Sequence, residues 1–172
     1  MKKYIRLKEE LNLYILPILF LVVSLLFFIV RNKVISNSNE KTISAIKERK
    51  TQSLRYTLEN VKIRPLNVKQ YPFQFYHCDI EIYDDFILLI GFGKFFKNKI
   101  ILKPILLYTS NKIWEFNEYL QFEIVKMKQN TIFKDELEIT VRTAKNKYDV
   151  NNELTLKKLT KAQIELFITL WK

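Results

Sequence analysis

The stretch Phe75–Phe92, FYHCDIEIYDDFILLIGF, decides how most of this chain folds. In its first half Tyr76, Cys78, Ile80 and Ile82 alternate with His77, Asp79 and Glu81. Successive side chains of a strand point to opposite faces, so the alternation predicts a strand with one face in a core. Asp84-Asp85 predicts a turn, because short acidic side chains bond back onto the local backbone. Phe86–Phe92 is then the return strand, apolar throughout and expected to be buried on both faces or nearly so.

Toward the C-terminus, Gly91-Phe92-Gly93 is expected to open a loop, KFFKNK. Ile100–Thr109 reads as a third strand, with Pro104 marking an edge position or a bulge. Ile113–Phe116, Tyr119–Met127, Leu137–Thr143 and Leu154–Leu159 are further strand candidates. Thr160-x-x-Gln163 is a capping box, and Ile164, Phe167, Ile168 and Trp171 follow at the spacing of one helix face. The region therefore predicts seven short strands and one amphipathic helix.

Toward the N-terminus lies Leu11–Val30, LNLYILPILFLVVSLLFFIV, which holds no charged residue. At about 1.5 Å per residue its length matches the roughly 30 Å hydrocarbon core of a bilayer, and it predicts a transmembrane helix. Phe27–Val30 run directly into Arg31 without the small-residue pattern of a cleaved signal peptide. Ser36–Asn39, SNSN, reads as a polar break. After it Ile43, Ile46, Leu54, Leu58 and Val61 recur near helical spacing, predicting a charged helix from Glu40 to about Asn60 that ends at Arg64-Pro65. The expected organisation is a basic tail (1–10), a transmembrane helix (11–30), a charged helical linker (31–66) and a β-rich domain (67–172).

The chain of 172 residues carries a net charge of +11, and residues 1–50 hold ten Lys/Arg against four Asp/Glu. That excess flanks the apolar segment, where anionic headgroups would meet it. Four Lys/Arg precede the span and six follow it within about 20 residues, a larger but more distant group; the balance leaves both orientations open and leans to a cytoplasmic C-terminal domain. The later charges are mixed with acids and form no stripe for nucleic acid, so no nucleic-acid partner is expected.

The only cysteine is Cys78 and the only histidine is His77. A Cys/His zinc site or nucleophilic pair is out of reach, since adjacent strand residues face opposite ways. With two glycines, Gly91 and Gly93, there is no glycine-rich phosphate loop. Asp84/Asp85 and Asp135/Glu136 read as solvated turn acids. No catalytic, cofactor-binding or metal residue and no small-molecule substrate is therefore expected. The candidate contact residues are Lys94, Phe95, Phe96, Lys97 and Lys99. Phenylalanines between lysines suit a loop that touches a membrane; alternatively, the rings fold back into the core.

CDIEIYDDFILLIGFGK (Cys78–Lys94) and LTLKKLTKAQIELFITLWK (Leu154–Lys172) together resemble bacterial PH-like domains attached to membrane spans, the group that includes YcxB-like proteins. The resemblance covers about the last 100 residues. It implies an α+β, mainly β fold, in which a PH-like, seven-stranded, partly open barrel is capped by a C-terminal helix. Phosphoinositide-binding members of that superfold carry basic residues at the first hairpin, where this chain has Asp84-Asp85, so that activity is not carried over. The expected function is a non-enzymatic single-pass membrane protein presenting this domain to a protein partner or to the lipid bilayer. The alternatives are an accessory or immunity subunit of a membrane complex and a non-catalytic subunit of an enzyme assembly.

Overall fold

The computed structural model describes residues 2–48, 54–66, 75–95, 98–108, 120–143 and 151–171. The alternating stretch becomes β2 (His77–Tyr83), which turns at Asp84-Asp85 into β3 (Phe86–Phe95). The two pair antiparallel from His77↔Phe92 to Ile82↔Ile87. Cys78, Ile80 and Ile82 are fully buried. Tyr76 departs from the pattern, since it precedes the strand and is exposed. β3 also runs on to Phe95, so Gly91-Phe92-Gly93 is strand where the sequence predicts a loop.

β4 (Asn98–Ile101) and β5 (Ile105–Tyr108) both pair antiparallel with β3, β4 with its C-terminal half and β5 with its start. Between them Leu102 N–H still donates to Gly91 C=O at 2.9 Å. The segment is thus one long strand bulged at Pro104, the position the sequence marks for it. β6 (Leu120–Gln129) runs parallel to β5, and β7 (Leu137–Thr143) and β8 (Asn151–Lys157) follow antiparallel. Ile113–Phe116, a strand candidate, lies outside the described residues.

β1 (Leu54–Leu66) closes the circuit, pairing with β2 on one side and β8 on the other. The order β2-β1-β8-β7-β6-β5-β3 returns on itself through β2–β3, a seven-strand barrel with β4 as one extra strand. This corrects the expected helix from Glu40 to Asn60 and the helical linker over 31–66. α1 (Lys2–Glu48) is one helix through both Pro17 and the predicted break at Ser36–Asn39, and Leu54–Leu66 belongs to the sheet. The fold is α+β: a long apolar N-terminal helix, a mostly β barrel and a short C-terminal helix.

That last helix, α2 (Lys161–Leu170), starts at the predicted capping box. Thr160 Oγ1 accepts from Gln163 N–H, and Gln163 Oε1 accepts from Thr160 N–H at 2.8 Å. Ile164 and Phe167 enter the barrel core with Phe122, Leu137, Val141 and Leu156, and Ile168 and Trp171 pack partly buried against it. Burying an aliphatic or aromatic side chain is worth about 1.5–3 kcal/mol, so this face holds the plug in place.

The turn from β8 into α2 puts Lys158 at φ 61°, in the left-handed region that glycine occupies freely. We expect Lys158→Gly to stabilise the protein by about 0.5–1 kcal/mol, measured as a higher urea midpoint at unchanged slope.

Candidate functional site

The helix that carries the apolar segment also builds the junction with the barrel. Ile15–Glu48 contains an 18-residue window with mean hydropathy 2.4, none of it buried in the protein. Leu16 and Phe20 are about three-quarters exposed. A helix this long and apolar is able to cross a membrane. Four turns further on, the same helix changes surroundings. Ile43 and Ile46 are buried against Tyr83, Phe86, Leu88, Ile90, Leu106 and Tyr108 on the outer face of the barrel. This is why Phe86–Phe92 carries no polar alternation. One face of β3 lines the barrel core and the other lies under α1.

Polar groups close the junction at both ends. Ser36 Oγ accepts from Ile101 N–H at 3.0 Å, and Asn39 Nδ2 donates to Ile101 C=O at 2.9 Å. β4 is the extra strand at the end of the sheet order, so Ser36 and Asn39 cap an open edge. At the other end Lys47 Nζ lies 2.6 Å from Glu81 Oε1, and Tyr83 OH donates to Glu81 Oε2 at 2.7 Å. Burial, and then the bond to Glu81, push the Tyr83 hydroxyl above its ordinary pKa. We expect Ser36→Ala and Asn39→Ala each to cost about 1 kcal/mol. Hydrogen exchange at the Ile101 amide would rise in both, and more steeply in Ser36→Ala, whose oxygen holds that N–H.

These contacts fix the height of the barrel along the helix. Between Ser36 and Lys47 the helix advances about 16 Å. Its contacts meanwhile move from Ile101, the partner of Phe92, to Glu81, the partner of Leu88. Four strand residues span about 13 Å, so helix and strand run nearly side by side. Continued the other way, Phe95↔Asn98 lies about 10 Å beyond Ile101, level with about residue 30. The last described pair of the β3–β4 hairpin is therefore level with the end of the uncharged segment.

Of the candidate contact residues, Lys94 and Phe95 belong to β3 and Lys99 to β4, with Lys94↔Lys99 cross-strand partners. Phe96 and Lys97 lie outside the described residues. Lys99 Nζ sits 2.5 Å from Asp79 Oδ2 and 4.0 Å above the centre of the Phe92 ring. That packing anchors the base of the hairpin to β2.

Elsewhere the residues of interest separate. Cys78 is buried in the core, and burial, with Asp79 adding, pushes its thiol well above the ordinary value. His77 and Asp79 face outward beside Phe92 and Lys99. Among the described residues no group of three or more His, Cys, Asp or Glu could hold a metal ion. Asp84 pairs with Arg55 at the turn. Glu136, read from sequence as a solvated turn acid, is instead buried and paired with Lys157 at 2.5 Å. Sequence reasoning also passes over the β6–β7 turn. There Ile132 is 79% and Phe133 55% exposed, and Asn130 Oδ1 accepts both their amides at 2.8 and 2.9 Å. Two adjacent large apolar residues in a turn, Thr131-Ile132-Phe133-Lys134, were the available signal. No protein-family model matches the chain, and no curated protein matches it in sequence.

Proposed function

We propose that this chain is a non-enzymatic, single-pass membrane protein that holds a PH-like barrel against the lipid surface, with the β3–β4 hairpin as its contact. One observation carries the reading: a single unbroken helix joins the apolar segment to the docked barrel and brings the hairpin level with about residue 30. A docked barrel meets the bilayer at high effective concentration, so weak contacts suffice. Lys94 and Lys97 would each contribute on the order of 1 kcal/mol beside anionic headgroups, while Lys99, paired with Asp79, holds the base of the hairpin. The basic residues after the span favour a cytoplasmic barrel.

The test uses the full chain in vesicles containing phosphatidylglycerol. A dye is attached through Asn98→Cys, since Cys78 is buried and does not compete for the label. Brominated lipids should quench the dye, and Lys94→Glu and Lys97→Glu together should abolish the quenching. Unquenched emission from Asn98→Cys with its lysines intact, or recovery of the chain in the aqueous fraction after carbonate extraction, overturns the reading.

A protein partner is the second reading, and the Ile132–Phe133 turn favours it. β6 runs parallel to β5 and away from the β3–β4 hairpin, so this turn lies at the barrel's other end. Two exposed apolar side chains there suit an anchor for a partner pocket. A partner that cross-links to the wild-type sequence but not to Ile132→Ser/Phe133→Ser would establish it.

A further inference from the structure

Three neighbouring strands set a basic row on the outer face of the barrel. His77 of β2 is the cross-strand partner of Lys62 of β1, which is the partner of Lys157 of β8. Lys158 follows at once. The row lines a cleft of about 340 Å³ between the β1 bulge, β2 and the turn into α2. Glu59 is the one carboxylate among the residues lining it. Like charges directly opposite each other on adjacent strands destabilise a sheet. Lys157 is answered by Glu136, whereas Lys62 and Lys158 make no ion pair with a described residue.

Two further observations fall on the same cleft. Nδ1 of His77 is buried and has no hydrogen-bond partner among the described residues. Such an atom costs free energy unless something bonds to it. Among the described residues, the two non-glycine residues with positive φ are Asn60, at 53°, and Lys158, at 61°, and both line this cleft. Asn60 is explained by the bulge, where Asp79 Oδ1 accepts its amide at 3.0 Å. At Lys158 the turn is held by the next residue, whose N–H donates to Asp135 C=O at 2.9 Å; glycine would make the same turn without strain, and keeping lysine there points to use of the side chain.

We propose that this cleft binds a phosphate group, with Lys62 and Lys158 holding its oxygens and His77 at the side. Its volume suits a small phosphorylated molecule. His77 lies level with Phe92 and Ile101, and so with Ser36, about 9 Å of helix past Val30. The headgroup layer is about 5–7 Å thick on each side. This distance favours a soluble phosphate ester over a lipid headgroup, and the site is independent of the hairpin contact.

The full chain in nanodiscs, titrated with inorganic pyrophosphate against chloride at matched ionic strength, tests it. A ligand that binds the folded state raises the melting temperature saturably. Lys62→Gln and Lys158→Gln should each weaken the apparent affinity about tenfold, the loss expected for one charge-assisted hydrogen bond. Lys103→Gln, on the β4–β5 link, should leave it unchanged. A soluble source gives the same pyrophosphate shift in neutral and phosphatidylglycerol nanodiscs. A headgroup source raises the melting temperature in phosphatidylglycerol alone, again lost in both variants. No saturable shift with either, or a shift that both variants retain, overturns the proposal.

Discussion

Gly91→Ala is expected to cost about 3 kcal/mol, whereas Gly93→Ala, with nothing near its β-carbon, meets no such obstacle. A β-carbon built on Gly91 would overlap Cγ, Cδ1 and Cε1 of Phe75, a ring that is itself buried. The backbone is not the obstacle, because Gly91 does not have positive φ and alanine suits a strand at least as well as glycine. The whole cost lies in moving the ring, and a close-packed interior offers it no second position. Urea unfolding in detergent micelles should therefore show a much lower midpoint at unchanged slope. Phe75→Ala removes the obstruction and leaves a cavity of its own. The double variant should be no less stable than Phe75→Ala, the signature of two residues coupled through one contact. If Gly91→Ala matches the wild-type midpoint, the packing of Phe75 onto β3 is wrong.

The second large effect concerns the docked helix. In Ile43→Asp/Ile46→Asp, segment 36–48 should come away from the barrel. Each substitution forfeits about 1.5–3 kcal/mol of apolar burial and places a carboxylate against Tyr83, Phe86, Leu88 and Leu106. The hydrogen bonds from Ser36 and Asn39 and the Lys47–Glu81 pair cannot offset that loss. Amide exchange over 36–48 should accelerate at least about a hundredfold, in line with a loss of roughly 3 kcal/mol or more. Strands β6, β7 and β8 should keep their protection, because they belong to the core inside the barrel. If the anchor reading holds, the same variant also frees the height of the barrel, so quenching of a dye at residue 98 should fall without any change at the hairpin.

Two of the misreadings in the sequence, the helix over 40–60 and the break at 36–39, have a common physical origin: contacts distant in sequence override a local pattern. Among the described side chains of β1 the buried ones are Leu58, Val61 and Ile63. The step of three from Leu58 to Val61 looks helical, and it arises because a bulge inserts one residue opposite Asp79. A two-residue period interrupted by a bulge imitates a helical one. At Ser36 and Asn39 the side chains that would otherwise cap the start of a new helix are engaged by the Ile101 backbone, which leaves the helix free to continue. Neither partner lies within sixty residues in the chain.

What the sequence determined alone is whatever depends on near neighbours. The alternation in β2, the acidic turn, the bulge at Pro104, the capping box of α2 and the apolar run able to span a bilayer are each set by period, steric limits or local hydrogen bonding. Tertiary structure decided that β1 closes the barrel, that α1 covers the second face of β3, and that His77, Lys62 and Lys157 stand in one row. Those outcomes depend on which strand edges and apolar faces find each other across the chain, and burial and pairing energies settle that only once the barrel has closed.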